Sequence, residues 1–400
     1  MNVYPKLFTV FFFLVVSLSG CSQSPTSVGS KLIPGSSKYS IHDTTIVSTG
    51  DTTFKISQIN GSASSLLVGN YSSVDAKTLL LFLATFPDTM TTVQIDTAEL
   101  TLSANYGWNV SSPPTPAQFE IKEVLTSWSA ATVIADSLNT LNFAPTNSAL
   151  ITITNQDTLG IGRTITTQFD TSLVRKWINI YADTLLPRFF SVALVAKPGM
   201  TNVGIWGFSQ FGSSSPPTLE IIYEKNGVKD SISLNVGHGT FFATSSPIQL
   251  SPSIQTQGGI SVFSLVKFNL KPVSDSINQI IVNNATLQMT LKNSQSTIGF
   301  EAVDSVIAYL AGSATVADTV GPSYYGYGYR KDTTQTTNSV YIFNLTSMVQ
   351  YWINTPSNNF GAQLRAVSST SNVDKHVFYS SKDTAYAPRL IITYTKKPQL

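Results

Sequence analysis

Hydrophobic and polar residues alternate with a period of two in short segments along most of the chain. The segment "AELTLSA" (98–104) places Leu100 and Leu102 on one face and Glu99, Thr101 and Ser103 on the other. The segment "ATLQMTL" (285–291) repeats this arrangement. Turn-forming residues (Asn, Asp, Gly, Ser and Pro) bound such segments. The pattern predicts β-strands with one buried face.

The strand segments recur in the same order in both halves of the chain. Three matched pairs carry this order: "LLLFLATF" (79–86) with "SLVKFNL" (264–270), "FFSVALVA" (189–196) with "FGAQLRAV" (360–367), and "PTLEIIY" (217–223) with "PRLIITY" (388–394). A shared order over this length predicts a duplication of one strand-rich unit.

One short helix is predicted in each half by a repeated segment, "SLVRKWIN" (172–179) and "SMVQYWIN" (347–354). Its apolar residues follow helical rather than strand spacing. Thr171 or Ser172 is expected to cap the first helix, and Thr346 or Ser347 the second. So short a helix is stable only when docked. We therefore expect Trp177 and Trp352 to be buried at the open end of a β-sandwich.

These observations predict an all-β protein with two tandem jelly-roll-like β-sandwich domains, each with one short helix. The first domain is expected over residues 41–224 and the second over 233–397. Residues 225–232 form the predicted linker, because "EKNGVKD" contains an Asn-Gly turn and mixed charge.

The N-terminal residues predict export and lipid attachment. Lys6 precedes a run of apolar residues over 7–18, shorter than the ~20 residues that a membrane-spanning helix needs, so residues 1–20 are predicted to be a signal peptide. "LSGC" resembles a bacterial lipobox and predicts lipidation of Cys21, with residues 21–40 as a flexible tether. The protein is then exported and anchored to the outer membrane or cell surface. A free cysteine beside an ordinary signal peptide is the alternative.

Charge and motifs argue against several functions. The net charge of +2 provides no attraction to nucleic acid, so no nucleic-acid partner is expected. His42, His238 and His376 are the only histidines, and none has the spacing of a zinc site. Neither a Gly-x-Ser-x-Gly elbow nor a phosphate-binding loop occurs. We expect no catalytic residue, no metal site and no cofactor, with a structural calcium ion left open.

Aromatic residues beside glycines are the candidate ligand-binding groups. The segment "GPSYYGYGYR" (321–330) contains Tyr324, Tyr325, Tyr327 and Tyr329 beside Arg330. Exposed aromatic faces flanked by hydrogen-bonding groups suit sugar rings. Trp108 in "NYGWNV" and Trp206 in "GIWGF" are further candidates. The alternative is that these side chains pack on the sandwich or along a strand edge.

The order of motifs resembles DNRLRE-type β-sandwich domains, a group related to certain carbohydrate-binding modules. The resemblance spans most of residues 41–394 and rests on the Ala-x-Leu-x-Leu strand at 98–102, Trp128-Ser129, the Val174-x-x-Trp177 segment and the Pro-initiated strand at 388–394. The DNRLRE hexapeptide is absent, Ala130 replaces an acidic residue, and the second half has no Trp-Ser segment. "GSKLIP" and "SSLLVGNYSS" also resemble uncharacterised lipoproteins of Bacteroidota-type bacteria.

The resemblance and the exposed aromatic segment together imply a non-enzymatic cell-surface lipoprotein that binds glycan or polysaccharide through β-sandwich loops. A structural or protein-binding surface lipoprotein, with a protein partner at the cell surface, is the alternative. A polysaccharide-degrading enzyme with two converging carboxylates is a third.

Overall fold

The computed structural model describes residues 40–56, 59–110, 116–153, 163–210, 212–245, 253–274, 280–299, 304–313, 324–331 and 338–396. The predicted signal peptide, Cys21 and nearly all of the tether lie outside these ranges.

The described ranges are built from strands joined by turns and a few short helices. The strands are β1 (Ser40–Val47), β2 (Gly50–Lys55), β3 (Ser65–Tyr71), β4 (Val74–Leu83), β5 (Gln94–Trp108), β6 (Ala117–Glu123), β7 (Ala149–Ile153), β8 (Thr164–Gln168), β9 (Ser191–Ala196), β10 (Gly204–Ser209), β11 (Thr218–Lys225), β12 (Val228–Ser245), β13 (Ile254–Gln257), β14 (Val262–Lys267), β15 (Ile280–Thr290), β16 (Ser305–Leu310), β17 (Tyr325–Arg330), β18 (Val340–Asn344), β19 (Ala362–Ala366), β20 (Lys375–Phe378) and β21 (Arg389–Lys396). The helices are α1 (Thr171–Ala182), α2 (Lys271–Ser274) and α3 (Thr346–Asn354), with 3₁₀ turns at Asp88–Thr91, Ala135–Thr140, Asn293–Gln295 and Pro356–Asn358.

The strands form two curled antiparallel sheets, which confirms the predicted all-β class. The first sheet has the order β12-β11-β5-β10-β3-β4-β9-β6-β7, with β8 on β5 and β12 also pairing with β4. The second sheet has the order β1-β21-β15-β18-β17-β16-β19-β14-β13-β20, with β2 on β14. Each sheet curls around its own apolar core.

The N-terminal strands belong to the second sheet rather than to the first. β12 pairs with β11 and β4, and in the same way β1 pairs with β21 and β2 with β14. The register of β12 matches that of β1 and β2 at both ends. At one end, Val228 lies opposite Lys225 of β11, as Ser40 lies opposite Lys396 of β21. At the other end, Phe241 lies opposite Thr78 of β4, as Thr53 lies opposite Ser264 of β14. The two matched positions differ by the same number of residues in both comparisons, since 228 − 40 = 188 and 241 − 53 = 188.

This pairing departs from the predicted domain boundaries. Residues 41–55 were expected in the first domain and residues 233–245 in the second, but each segment completes the sheet of the other half. The hydrophobic pattern could not reveal this, because alternation specifies which face of a strand is buried and not which neighbour it pairs with.

The repeated helices carry the predicted buried tryptophans. Trp177 of α1 is 0% exposed and Trp352 of α3 is 1% exposed. Three phenylalanine rings surround the Trp177 indole at centroid distances of 5.6 to 5.9 Å, those of Phe82, Phe169 and Phe190. Each indole therefore fills the core of its own sheet.

The N-cap of the first helix is Asp170, one or two residues before the predicted Thr171 or Ser172. The Asp170 carboxylate accepts a 2.8 Å hydrogen bond from the Ser172 backbone N–H. The N-cap of the second helix is Leu345, whose side chain makes no capping hydrogen bond, and the preceding Asn344 side chain accepts a 3.1 Å hydrogen bond from the Thr346 N–H. Asp and Asn serve this purpose as well as Ser and Thr do, so the identity of the residue alone could not fix the cap.

The two sheets pack against each other through a small apolar cluster and a set of polar contacts. Tyr106, Trp108 and Phe241 of the first sheet meet Val262 and Val373 of the second half. The Tyr106 hydroxyl donates to Asp374 Oδ1 at 2.8 Å, and the Trp108 indole N–H donates to the Thr297 carbonyl at 3.1 Å. Burial, followed by the Asp374 charge, raises the pKa of Tyr106.

We expect Trp177→Ala and Trp352→Ala each to lower the free energy of unfolding by about 3–5 kcal/mol, because each leaves a cavity in a closed core. Urea denaturation followed by circular dichroism measures this. Leu185→Ala is the control, since Leu185 is 90% exposed, and it should change the free energy by less than about 0.5 kcal/mol. A loss below about 1 kcal/mol at either tryptophan would contradict its role in the core.

Removal of residues 1–55 should destabilise the second sheet selectively, because it leaves β14 and β21 with unpaired edges. Hydrogen exchange read by mass spectrometry should show lost amide protection over 262–267 and 389–396. Protection over 191–196 in the first sheet serves as the internal control. Equal loss in both sheets would contradict a local closing role for β1 and β2.

Candidate functional site

Strand β17 has the sequence YGYGYR and places three tyrosines on the outer face of the second sheet. Tyr325, Tyr327 and Tyr329 are 50%, 42% and 56% exposed. The glycines between them face inward and are buried. We call these three side chains the tyrosine ladder. The structure thus brings together three of the seven predicted ligand-binding residues, on a strand rather than on a loop.

The glycines of β17 are required by packing. A Cβ atom on Gly326 would lie 2.2 Å from the Asn344 carbonyl oxygen, and one on Gly328 would lie 2.2 Å from the Phe343 ring. The inward side of β17 therefore has no room for side chains. The tyrosines point the other way and add little to the core, so burial does not account for them.

The ladder continues onto the neighbouring strand. Centroid distances are 6.1 Å between Tyr327 and Tyr329, 5.6 Å between Tyr325 and Tyr327, and 6.3 Å from Tyr325 to Tyr309 of β16. The Arg365 guanidinium lies 5.3 Å from the centre of the Tyr309 ring. Burial raises the pKa of Tyr309. Four phenol groups and one guanidinium thus follow each other across β17, β16 and β19.

Tyr309 and Arg365 were missed in the sequence. Tyr309 lies in the apolar segment SVIAYL, directly opposite Tyr325 in the sheet. Arg365 lies opposite Ile307, one strand further along. Only the pairing of strands distant in sequence brings these two residues to the ladder. The alternation in SVIAYL puts Tyr309 on the same face as Ile307 but does not show which strand lies beside it.

Within the described part of the first half, no counterpart of the ladder occurs. Ala149 of β7 occupies the position of Gly326, since both lie opposite matched residues, Ile121 and Ala308, of the preceding strands. The outward residues of β7 are therefore Leu150 and Thr152. Among the residues that the structure describes, the ladder is a feature of the second half.

Two of the predicted residues lie apart from the ladder. Tyr324 packs on Tyr351 of α3, with ring centroids 4.9 Å apart, and is partly buried against the core. Arg330 forms an ion pair with Asp304, at 3.2 Å between Nε and Oδ2. Neither side chain extends the exposed row.

The two predicted tryptophans pack inside the protein. Trp206 is 4% exposed, belongs to the core of the first sheet and donates to the Val203 carbonyl at 3.2 Å. Its placement leaves almost no surface for a ligand. Trp108 is also 4% exposed and contacts the second half through Thr297. An edge of Trp108 lines a cleft between the halves.

Arg330 belongs to a partly buried polar network that the sequence did not predict. Asp304 accepts hydrogen bonds from the Tyr341 hydroxyl and from His376 Nε2, the latter at 3.3 Å. Burial raises the pKa of Asp304, but the His376 and Tyr341 hydrogen bonds and the charges of His376 and Arg330 outweigh it and lower the pKa below 3.8. His376 is fully buried, so this network stabilises the sheet interior.

Over the described ranges, no three His, Cys, Asp or Glu side chains converge so as to hold a metal ion, and the calcium site stays a prediction. The helices in these ranges are all too short or too polar to span a membrane.

No protein-family model matches the chain, and no curated protein matches it. Two solved structures, "BspA_C_WT" and "Streptococcus agalactiae AgI/II polypeptide BspA C terminal domain (WT)", are 7% and 8% identical to it. Each match covers 87% of this chain and 91% of the other, with TM-scores of 0.17 and 0.16. Scores this low support no conclusion about fold or function.

We expect Asp304→Asn to lower the free energy of unfolding by about 1.5–3 kcal/mol at pH 7, because Arg330 and His376 lose a charged partner. The folded-state pKa of Asp304 lies below 3.8. Its carboxylate therefore stabilises the fold above about pH 4, and this contribution is lost as the pH falls through the folded-state pKa.

Urea denaturation of wild type and variant at pH 7 and at pH 3 tests this expectation, and the difference should shrink at the lower pH. Asp75→Asn removes the more exposed pair with Lys77 and should cost less than about 1 kcal/mol. A difference independent of pH would contradict the role of the Asp304 charge.

Proposed function

We propose that the protein is a non-enzymatic, lipid-anchored surface protein that binds glycan through the tyrosine ladder. One observation carries the proposal. Packing accounts for the glycines of β17 but not for the three tyrosines, which stay about half exposed in a row. A contiguous exposed apolar patch is characteristic of an interaction surface.

The chemistry of the ladder suits a polysaccharide chain. A phenol ring offers an apolar face to the C–H side of a sugar, and its hydroxyl can donate to or accept from sugar hydroxyls. Alternate residues of a strand lie about 7 Å apart, which is the scale of a sugar residue. Arg365 beside Tyr309 adds N–H donors at one end. An extended glycan is therefore expected to lie along β17 and cross towards β19.

The ladder presents exposed rings on an open strand surface, so we expect each protein molecule to bind a glycan weakly. Because the described residues contain the ladder in the second half only, we do not derive avidity from tandem domains within one chain. Many copies anchored on one surface would supply it instead, since each bound contact raises the effective concentration at the next.

The surface location is supported by sequence alone. The short apolar run, the LSGC tetrapeptide with Cys21, and the resemblance to DNRLRE-type domains and Bacteroidota lipoproteins all support export and lipidation. The tether would hold the ladder away from the membrane.

The double variant Tyr325→Ala/Tyr327→Ala should lose retention on the polysaccharide that binds the wild type, because both central rings are removed. Affinity electrophoresis in gels with a panel of neutral and acidic polysaccharides measures retention. Tyr386→Ala is the control, since Tyr386 is a 41% exposed tyrosine outside β17 that packs on Tyr379 and not on the ladder, and the variant should be retained like the wild type.

Unchanged melting temperatures would show that the variants remain folded. Full retention of the double variant would contradict the ladder as the binding site. No retention of the wild type on any polysaccharide, together with specific capture of one protein partner through the ladder, would favour the protein-binding alternative.

A further inference from the structure

A cleft of about 330 Å³ lies where the two halves meet. This volume is at the lower end of the range for small-molecule sites, which is ~300–1,000 Å³. The first sheet and its β3–β4 turn contribute Tyr71, Ser72, Ser73, Val74, Trp108 and Ser245, and the second half contributes Gln255, Gln257, Gln295, Thr297 and Lys375. The cleft therefore exists only when both halves are folded and packed together.

One wall carries three polar side chains on neighbouring strands. Gln257 of β13 lies directly opposite Lys375 of β20, and Gln255 is two residues along on the same face of β13. Gln255 and Gln257 are 6% and 3% exposed. Strand pairing holds their backbones, and the Gln257 side-chain N–H donates to the Val373 carbonyl at 3.3 Å, which leaves the Gln257 amide oxygen for a ligand.

The opposite wall is aromatic. Tyr71 and Trp108 meet edge to face, with ring centroids 5.6 Å apart at an angle of 85°. The Trp108 indole N–H is held by the Thr297 carbonyl at 3.1 Å, which fixes the ring across the boundary between the halves. An aromatic wall facing amides is a common arrangement in sites for hydroxylated ligands.

The charge of Lys375 is the unusual feature. Among the described residues, no carboxylate lies within 4 Å of its ammonium group. The adjacent Asp374 is engaged on the other side of the strand, where Oδ1 accepts from the Tyr106 hydroxyl and the Gly299 N–H. Burial lowers the pKa of Lys375. A half-buried ammonium without a counter-ion favours an anionic ligand.

We propose that this cleft binds one acidic sugar residue, with its carboxylate on Lys375 and its hydroxyls on Gln255 and Gln257. The Tyr71 ring, which Trp108 holds edge to face, contacts the C–H side of the sugar ring. This site is separate from the tyrosine ladder and does not depend on the function proposed for the ladder. It confers selectivity for a uronate over its neutral form.

Titration of the full exported chain with paired methyl glycosides tests the proposal. Each pair is a uronate and its neutral form, of glucose, galactose and mannose. The wild type should bind at least one uronate about tenfold or more tightly than its neutral form, since a charged hydrogen bond contributes about 1.5–3 kcal/mol. The indole ¹⁵N–¹H signal of Trp108, assigned with Trp108→Phe, should shift on binding.

Lys375→Met removes the ammonium and keeps the apolar stem, so it should abolish the uronate preference and leave neutral binding unchanged. Gln295→Glu places a repelling carboxylate at the exposed rim and should also weaken uronate binding. Lys331→Met, at an exposed lysine outside the cleft, is the control and should bind like the wild type. The Tyr325→Ala/Tyr327→Ala variant should bind uronate normally, which separates this site from the ladder.

Three results would overturn the proposal. They are the absence of uronate binding at millimolar concentration, uronate binding that Lys375→Met leaves intact, and a uronate-induced shift at another indole but not at Trp108. If Lys375→Met does not fold, the Gln295→Glu result decides.

Discussion

The hydrogen bonds of β1 and β2 to β21 and β14 hold the architecture closed. They pair the first described residues of the chain with β21, the last described strand, and with β14, in the register that β12 uses in the first sheet. Each half thus receives a strand from the other half of the sequence. The exchange joins the halves through the backbone, and the apolar contacts of Tyr106, Trp108 and Val373 then fix their relative position.

Both candidate binding surfaces depend on this arrangement, although in different ways. The tyrosine ladder needs a continuous second sheet, because Tyr309 and Arg365 reach it only through the pairing of β16 with β17 and β19. The cleft needs the two sheets to face each other, because Trp108 and Lys375 come from different halves. Binding at both surfaces would therefore require both halves to be folded and packed together.

Much of the fold could be predicted because the relevant information is local. Alternation predicted the strands, helical spacing predicted the burial of Trp177 and Trp352, and the repeated order of segments predicted the duplication. The strand exchange could not be predicted, since residues 40–55 fit either sheet equally well by pattern. Only part of the candidate sites could be predicted, because local patterns do not show which distant strands pair. The Tyr-Gly alternation is visible in sequence, whereas Tyr309, Arg365 and Lys375 acquire their neighbours only through distant pairing.

A crystal structure of the protein soaked with a polysaccharide fragment that it retains tests the central claim most directly. The account predicts sugar rings lying along β17, in contact with Tyr325, Tyr327 and Tyr329, with the chain directed towards Arg365. Sugar density elsewhere on the surface, with the three tyrosines left bare, would contradict it.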